Sequence, residues 1–390
     1  MDKNLKNKTG KKNKGKGESK KDRSAFFLSL KRVASHCLTK KRFIATGGLA
    51  LFVLYLAALG YYSMTPIDRR NLTVVVDIPT GTSFIQATEI LNRAGLVKSR
   101  LLFYGLTVVK NARRQIRAGE YEINTMLSPS QMVDKLIHGE IKMYKVTIPE
   151  DLTMREIADR LDEHKLINRE IFFELARDRE FLNSLNIKAD SIEGYLFPDT
   201  YKFIRNFGEK NIIRSMVARF NEVYGAEFKR KEQEFNLSHN DVITLASLIE
   251  KEAACHEERP LISAVFHNRL KLHMPLQCDS TVIFGIKNFN GDLTKEDLRT
   301  CTPYNTYLNH GLPPTPIASP GLDSIKAALA PADVPFIFFV SKNDGTHYFS
   351  TTLVEHNQAV ATYQKRKQEE NPEEEAVLQA GTTASEVQQN

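Results

Sequence analysis

Twenty-five consecutive residues without a charged side chain, Phe43 to Ile67, follow a long basic segment. A helix of about 20 residues crosses a bilayer core, so the stretch predicts one transmembrane helix over residues 43–64. Residues 1–42 contain 15 Lys and Arg against 3 Asp and Glu. By the positive-inside rule, this predicts a cytoplasmic N-terminus and an extracytoplasmic remainder. A buried core helix, or a signal peptide cleaved near Ala58 and Gly60, is the alternative.

The net charge of +7 comes from this basic segment, since the other 348 residues carry 39 basic and 44 acidic side chains. That balance disfavours nucleic-acid binding. Residues 1–42 and the Glu- and Gln-rich residues 366–390 are predicted to be disordered. The four cysteines lack CxxC spacing, which disfavours a disulfide framework and a structural zinc site. Cys255, Cys278 and Cys301 lie in the exported part, and because three is odd, at least one is expected to be free.

Two segments seventy residues apart share one pattern. In each, a short strand ends at an Ile-Pro pair, Ile78-Pro79 or Ile148-Pro149, and two helices with 3.6-residue apolar spacing follow. The overlay without a gap pairs Phe103 with Phe173. These β-α-α units resemble LysM-like carbohydrate-binding modules and define a repeat region over residues 70–185. A packing module without glycan binding is the alternative.

Further elements are predicted around these repeats. Residues Gly119–Ile123 are predicted to form a strand. Ser128 is expected to cap a helix that runs to His138, with proline in its first turn. Beyond Asp190 the sequence becomes richer in helices, beginning with an amphipathic helix over Ile212–Tyr224.

One later helix carries two glutamates. Asn240 or Asp241 is predicted to cap it at its start. At 100° per residue, Glu252 lies about 60° and Glu250 about 100° from the centre of the apolar stripe, so we expect Glu252 to be nearer the buried face. A carboxyl beside apolar surface has a raised pKa and suits a general acid near neutral pH.

Seven short motifs follow one another in the second half of the chain. They are Ile192–Ile204, Ala246–Glu252, Val265–Leu270, Leu276–Val282, Tyr304–Tyr307, Gly311–Pro314 and Ile317–Gly321. In these motifs and their order, the chain closely resembles the endolytic murein transglycosylase family (MltG/YceG-like) over roughly residues 70–365.

The resemblance implies an α+β fold: a single transmembrane helix, LysM-like β-α-α modules, then a catalytic domain over residues 190–365 with a lysozyme-like catalytic helix. It implies an enzyme that cleaves the β-1,4 bond between N-acetylmuramic acid and N-acetylglucosamine within peptidoglycan, leaves 1,6-anhydro ends and terminates nascent strands. It further implies a plasma (inner) membrane location, an extracytoplasmic catalytic domain, no cofactor, and peptidoglycan synthases as partners. A non-catalytic peptidoglycan-binding scaffold for such synthases is the alternative.

Within the Glu-Lys-Glu motif, the resemblance assigns catalysis to Glu252, with Glu250 as the second choice. One carboxyl would protonate the glycosidic oxygen and then accept the proton of the muramic acid C6 hydroxyl. Asp279 is a candidate second carboxylate that would permit hydrolysis, although a helix cap or turn is the alternative. The chain departs from the family pattern at Cys278 and Ser280. Ala253, small but without a hydroxyl, follows Glu252 where lysozyme-like transglycosylases often have Ser or Thr.

Other polar and aromatic side chains in the motifs suit the binding of sugar rings and N-acetyl groups. Each of them has a structural role as its alternative, and for the glutamates that alternative is a surface charge or an ion pair with Arg259 or Arg269. His347 is interpreted as a hydrogen-bonded core or strand-edge residue. The predicted substrate-binding residues are Glu250, Asn268, Gln277, Asp279, Tyr304, Asn305, Thr306 and Tyr307.

Overall fold

The computed structural model describes residues 45–365. The two segments predicted to be disordered, residues 1–42 and 366–390, lie outside the described residues. The described chain is a mixed α+β protein, as predicted, and it divides into two compact units between Glu140 and Ile141. Its strands form antiparallel pairs.

The first unit begins with helix α1, which by its length and composition is long and apolar enough to cross a membrane. Strands β1 and β2 then enclose two helices and pair from Thr73 opposite Asn124 to Ile78 opposite Gly119. Ser128 caps α4 in a capping box with proline in the first turn, as predicted. The elements are α1 (Ala45–Met64), β1 (Thr73–Ile78), α2 (Phe84–Arg93), α3 (Arg100–Val109), β2 (Gly119–Asn124) and α4 (Pro129–His138).

The second unit begins with the second copy of the repeat. Its strands pair from Met143 opposite Ile204 to Ile148 opposite Asp199, so this copy has the β-α-α-β order of the first with one more helix before its last strand. The elements are β3 (Met143–Ile148), α5 (Met154–Glu163), α6 (Arg169–Leu175), α7 (Arg179–Ser184) and β4 (Asp199–Ile204).

The two copies match without a gap only through their first helix. Ser99 caps α3 and Asn168 caps α6, so the second helix starts 69 residues later rather than 70. Phe103 is therefore equivalent to Phe172, and both are fully buried. The predicted pairing of Phe103 with Phe173 was wrong, because the second copy has one residue fewer between its helices.

The rest of the second unit is mainly helical and encloses the larger core. That core includes β3 and α5, so the second repeat and the later helices share one hydrophobic interior. The predicted change of domain near residue 190 stays a prediction; β3 and β4 pair across it. The remaining elements are α8 (Glu209–Val223), α9 (Ala226–Phe235), α10 (His239–Glu252), α11 (Arg259–Lys271), α12 (Asp279–Gly285), α13 (Leu322–Ala328), β5 (Phe338–Ser341), β6 (His347–Ser350) and α14 (Leu353–Val360).

Gly194, in the first of the seven motifs, is packed against the segment before α13. Its φ is +82°, and a Cβ added there would overlap the ring of Pro316 and lie 3.1 Å from Ile243 Cγ2. Gly208 has a similar φ of +84° but open space around the corresponding position. The two glycines thus share one backbone requirement and differ in how tightly they are packed.

We predict that Gly194→Ala destabilises the protein more than Gly208→Ala does. Both variants incur the left-handed penalty of about 1–2 kcal/mol, and overpacking adds about 1–3 kcal/mol at Gly194 alone. Denaturant unfolding of the detergent-solubilised chain measures the difference. Equal losses of unfolding free energy would show that the contact with Pro316 imposes no constraint.

Candidate active site

Glu252 is the last residue of α10, and Ala253 ends the helix. Ser238 caps the other end, where its hydroxyl accepts from the backbone N–H of Asp241 and the Asp241 side chain accepts from the backbone N–H of Ser238. The prediction that Asn240 or Asp241 is the cap was therefore wrong. Asp241 is instead the partner in a capping box, which needs an acceptor at the third helical residue.

Helix α10 is buried on every side rather than along one stripe. All nine residues from Val242 to Glu250 are buried, whereas Glu252 is half-buried. The expectation that Glu252 is the more buried glutamate was wrong, because α9, α11, α12 and α13 all contact this helix. Angular position on an isolated helix cannot reveal such contacts.

Glu250 is held in a buried ion pair. Its Oε1 accepts from Arg259 Nη2 at 2.8 Å, and its Oε2 accepts from the backbone N–H of Gly321 at 2.8 Å. Arg259 also donates to the hydroxyl of Ser324. The ion pair with Arg259 was one of the predicted alternatives for this glutamate. Both carboxylate oxygens are occupied, so Glu250 joins α10, α11 and the start of α13.

Lys251 fixes the end of the same helix to the second repeat. Its ammonium group donates to the backbone carbonyl of Asp151 at 2.8 Å and pairs with the Asp151 carboxylate at 2.9 Å. Asp151 has a positive φ of 73° in the turn between β3 and α5. The backbone of this turn also bonds to Ser319. Glu250 and Lys251, the two residues before Glu252, are thus anchored by different parts of the unit.

Two hydrogen-bond donors meet at one oxygen of Glu252. Cys278 Sγ donates to Oε1 at 3.0 Å and Ser280 Oγ donates to the same atom at 2.9 Å. Within residues 45–365, no residue donates a hydrogen bond to Oε2. Cys278 is a free thiol, as are Cys255 and Cys301, which confirms that at least one of these three cysteines is free.

The surroundings of Glu252 favour its protonated form. Burial raises the pKa of this carboxyl, and the negative charge of Asp279 raises it further. The hydrogen bonds from Cys278 and Ser280 lower the pKa, as does the positive charge of His347, but burial is the largest effect. Burial also raises the pKa of the Cys278 thiol, so the thiol stays protonated and remains a donor.

Three of the predicted substrate-binding residues lie beside Glu252 at the surface. Tyr307 donates its hydroxyl to Asp279 Oδ1 at 2.6 Å; burial and this bond raise the pKa of the tyrosine, and the nearby charge of Glu252 raises it further. Asp279 and Gln277 are exposed, and Gln277 adopts a positive φ of 49°. Its backbone N–H donates to the carbonyl of Thr306, which joins the two motif segments.

Four other predicted residues are used within the protein. The side-chain amide of Asn305 is fully buried and donates to the carbonyls of Leu298 and Thr300, while its oxygen accepts from the backbone N–H of Tyr307. The remaining three also bond internally: Thr306 to Cys278 and Thr281, Asn268 to the carbonyls of Val334 and Phe336, and Tyr304 to Thr315.

His347 also has a hydrogen-bonding partner, as predicted from the sequence. Its Nδ1 lies 2.7 Å from Glu258 Oε2, and its backbone N–H donates to the other oxygen of Glu258. Both side chains are largely buried. This pair joins the start of β6 to the turn that precedes α11.

The roles of Cys278, Ser280 and Lys251 were missed by sequence reasoning. In the sequence, Cys278 and Ser280 stand out only as departures from a family pattern, and Lys251 only as the middle residue of the Glu-Lys-Glu motif. Lys251 belongs to the motif that contains both glutamates, and Cys278 and Ser280 belong to the motif Leu276–Val282, so membership of the ordered motifs was the available signal. Their contacts with Glu252 and Asp151 bridge 26, 28 and 100 residues of sequence.

The chain is similar to known proteins over most of its length. Residues 76–362 match the YceG-like family. An endolytic murein transglycosylase of Bacillus subtilis is 34% identical over 328 residues, 78% of this chain and 89% of the relative. One of Streptococcus pneumoniae is 31% identical over 360 residues, 81% of this chain and 64% of the relative. A crystal structure of a yceG-like protein from Listeria monocytogenes has a TM-score of 0.52 at 31% identity, covering 73% of this chain and 98% of that one. The chain belongs to the YceG-like family.

Proposed function

We propose that this protein is an endolytic peptidoglycan lytic transglycosylase whose catalytic residue is Glu252. The observation that carries the proposal is the asymmetry of this carboxyl. It has two donors on Oε1, no donor among the described residues on Oε2, and a pKa raised by burial. A general acid that acts near neutral pH needs a carboxyl with a raised pKa.

The hydrogen bonds determine where the acidic proton lies. An oxygen that already accepts two hydrogen bonds is a poor site for the proton, so protonated Glu252 carries it on Oε2. Oε2 gives this proton to the glycosidic oxygen as the bond to the anomeric carbon of N-acetylmuramic acid breaks. Donation to Oε1 then stabilises the new carboxylate.

The same carboxylate acts as a base in the second half of the reaction. It takes the proton of the muramic acid C6 hydroxyl as that oxygen bonds to the anomeric carbon, which closes the 1,6-anhydro ring and restores the acid. The leaving oxygen gains one proton and the C6 oxygen loses one, so no water is consumed. A second catalytic carboxylate is unnecessary.

We assign different roles to the predicted substrate-binding residues. Gln277, Asp279 and Tyr307 are exposed or half-buried near Glu252 and are proposed to contact the sugars. Glu250 is proposed to hold the catalytic helix, because both of its oxygens are occupied. Asn268, Asn305 and Thr306 are proposed to build the walls of the site, and Tyr304, which is half-buried, to support them.

The parts around the site fit a membrane-anchored enzyme. We propose that α1 crosses the plasma membrane once, with the basic N-terminus in the cytoplasm and both units outside, as the charge of residues 1–42 supports. The two β-α-α-β repeats are proposed to be LysM-like modules that contact glycan, and α10 to be the counterpart of a lysozyme-like catalytic helix. Association with a peptidoglycan synthase, and a role in ending strand elongation, stay predictions.

A non-catalytic scaffold is the less favoured function. It would bind cell wall equally well but would not need a half-buried carboxyl with a raised pKa. The two functions differ in their product: only the enzyme releases soluble muropeptides one water lighter than hydrolytic products.

We predict that Glu252→Gln abolishes release of anhydro-muropeptides from purified sacculi. The amide keeps the size and one acceptor but has no acidic proton, and loss of general acid–base action costs about 10²–10⁴-fold. Mass spectrometry of the released fragments measures turnover, while the thermal midpoint and sacculus binding should stay close to wild type.

Glu250→Gln is the matched control. It leaves the buried Arg259 without its carboxylate, and breaking such a pair costs about 3–5 kcal/mol, so the main effect should be a lower thermal midpoint. Full activity of Glu252→Gln would refute the assignment of the acid, and loss of activity in Glu250→Gln at unchanged stability would transfer it to Glu250.

We predict that Cys278→Ser shifts the basic limb of the pH profile of kcat/KM to lower pH. Activity requires protonated Glu252, so it falls as pH rises through the pKa of this group. A hydroxyl is a stronger donor than a thiol, so it stabilises the carboxylate and lowers that pKa. Cys278→Ala should shift the limb upward, and Cys301→Ser, at an exposed cysteine, should leave it in place. A downward shift in Cys278→Ala would contradict the proposed hydrogen bond.

We predict that Asp279→Asn stays active and still yields anhydro products. Removing its charge lowers the pKa of Glu252, so the basic limb should move to lower pH. The loss of rate at the optimum should be far smaller than the 10²–10⁴-fold or so expected for Glu252→Gln. A comparable loss, together with hydrolytic products in the wild-type reaction, would establish Asp279 as a second catalytic carboxylate.

A further inference from the structure

Helix α3 has apolar side chains on both of its faces. One face packs into the first repeat through Phe103, Leu106 and Thr107, all buried. The opposite face presents Leu101, Tyr104, Val108 and Val109, of which Leu101 is 69% and Val109 72% exposed. Viewed down the helix axis, these four side chains lie within about 70° of one common direction, and Gly105 lies between them. No charge interrupts this face between Arg100 and Lys110.

This exposed face adjoins helix α1. The hydroxyl of Tyr55 donates to the carbonyl of Leu101 at 3.5 Å. A Cβ added at Gly105 would overlap Tyr55 and lie 3.5 Å from Leu59 Cδ1, so glycine is what lets the helices approach. Both helices belong to the first unit.

The depth of the contact follows from the length of α1. Its 20 residues span about 30 Å, the thickness of a bilayer core. Tyr55 lies nine residues before Met64, roughly 13 Å along the axis, and Leu59 lies about 8 Å from the same end. If α1 spans the membrane, a helix that touches both residues lies within the outer half of the hydrocarbon layer.

The second repeat provides an internal comparison. Of the residues 69 positions after Leu101, Gly105, Val108 and Val109, two lie in α6 and two follow its end, and all four are exposed and charged, whereas Tyr104 corresponds to the half-buried Phe173. The shared fold therefore does not require an apolar surface there. These four residues are Glu170, Glu174, Arg177 and Asp178.

We infer that α3 is embedded in the outer leaflet of the membrane beside α1, with lipid acyl chains covering the face formed by Leu101, Tyr104, Val108 and Val109. The inference rests on the proposed membrane anchor. The ten-residue helix satisfies its own backbone: Ser99 caps its start, and the N–H of Lys110 donates to the carbonyl of Leu106.

Charged and aromatic groups at the edge of this face suit the lipid headgroups. Arg113 and Arg114 follow the helix in the next turn, whereas Arg100 and Lys110 at its two ends pair with Glu89 and Asp134. The guanidinium of Arg113 lies 4.1 Å from the centre of the Tyr104 ring. Basic side chains near a membrane surface are attracted to anionic lipids, and tyrosine is enriched at this depth.

The chain has no tryptophan, so each tryptophan substitution creates a single fluorescent reporter. The test uses the full chain in vesicles of phosphatidylethanolamine and phosphatidylglycerol whose acyl chains carry bromine as a quencher. Leu101→Trp and Val109→Trp report on α3. Leu51→Trp in α1 is the positive control, and Glu170→Trp, at the matching position of α6, is the negative control.

The inference expects blue-shifted, strongly quenched emission for Leu101→Trp and Val109→Trp, approaching that of Leu51→Trp, and no quenching for Glu170→Trp. Quenching of both α3 reporters no stronger than that of Glu170→Trp would overturn it. Blue-shifted emission without quenching would also overturn it, because protein rather than lipid would then cover the face. Lack of quenching in Leu51→Trp would instead refute the anchor, while the activity of Glu252 is measured separately on soluble fragments.

Discussion

The buried ion pair between Glu250 and Arg259 holds helix α10 in place. It brings the last turn of α10 against α11, and the second oxygen of Glu250 accepts from the backbone of Gly321 before α13. A buried charge pair with both oxygens satisfied permits little movement, because any shift leaves a charge unpaired at a cost of several kcal/mol. Glu252 lies two residues further along the same helix, so the ion pair also fixes its position. The more buried glutamate of the motif is therefore its support, and the less buried one is proposed to be its acid.

A second constraint operates at the single oxygen Oε1 of Glu252. Two donors from one short segment, Cys278 and Ser280, both bond to it and leave Oε2 without a described donor. In the proposed mechanism, this asymmetry gives the two oxygens different roles: Oε1 is stabilised as a carboxylate oxygen, and Oε2 exchanges the proton. A thiol in place of a hydroxyl weakens the stabilisation and keeps the pKa higher. The departure of this chain from its family pattern at Cys278 thus tunes the proposed acid without removing it.

The two repeats show how one fold can serve different surroundings. The first helices of the two copies align in sequence without a gap. Each begins at a capping box, formed by Ser83 in the first copy and by Thr153 in the second. Their second helices differ on the exposed face, which presents Leu101, Val108 and Val109 in α3 and Glu170 and Glu174 at the corresponding side of α6. Burial constrains only the inner face of each helix, so the outer face can change with what covers it. In the first copy, its contact with α1 leads us to propose that lipid is the cover.

The sequence by itself determined the local features of this protein. The uncharged span predicted α1, the Ile-Pro pairs located the repeats, Ser128 marked the start of α4, and the ordered motifs identified the family. These depend on neighbours within a few residues or on matched patterns. Tertiary structure decided which glutamate is buried, what Lys251 and Cys278 contact, and that Asn305 faces the interior. Those facts depend on contacts across 26 to 100 residues for the groups around Glu252, and helical periodicity carries no information about what packs against a helix from outside.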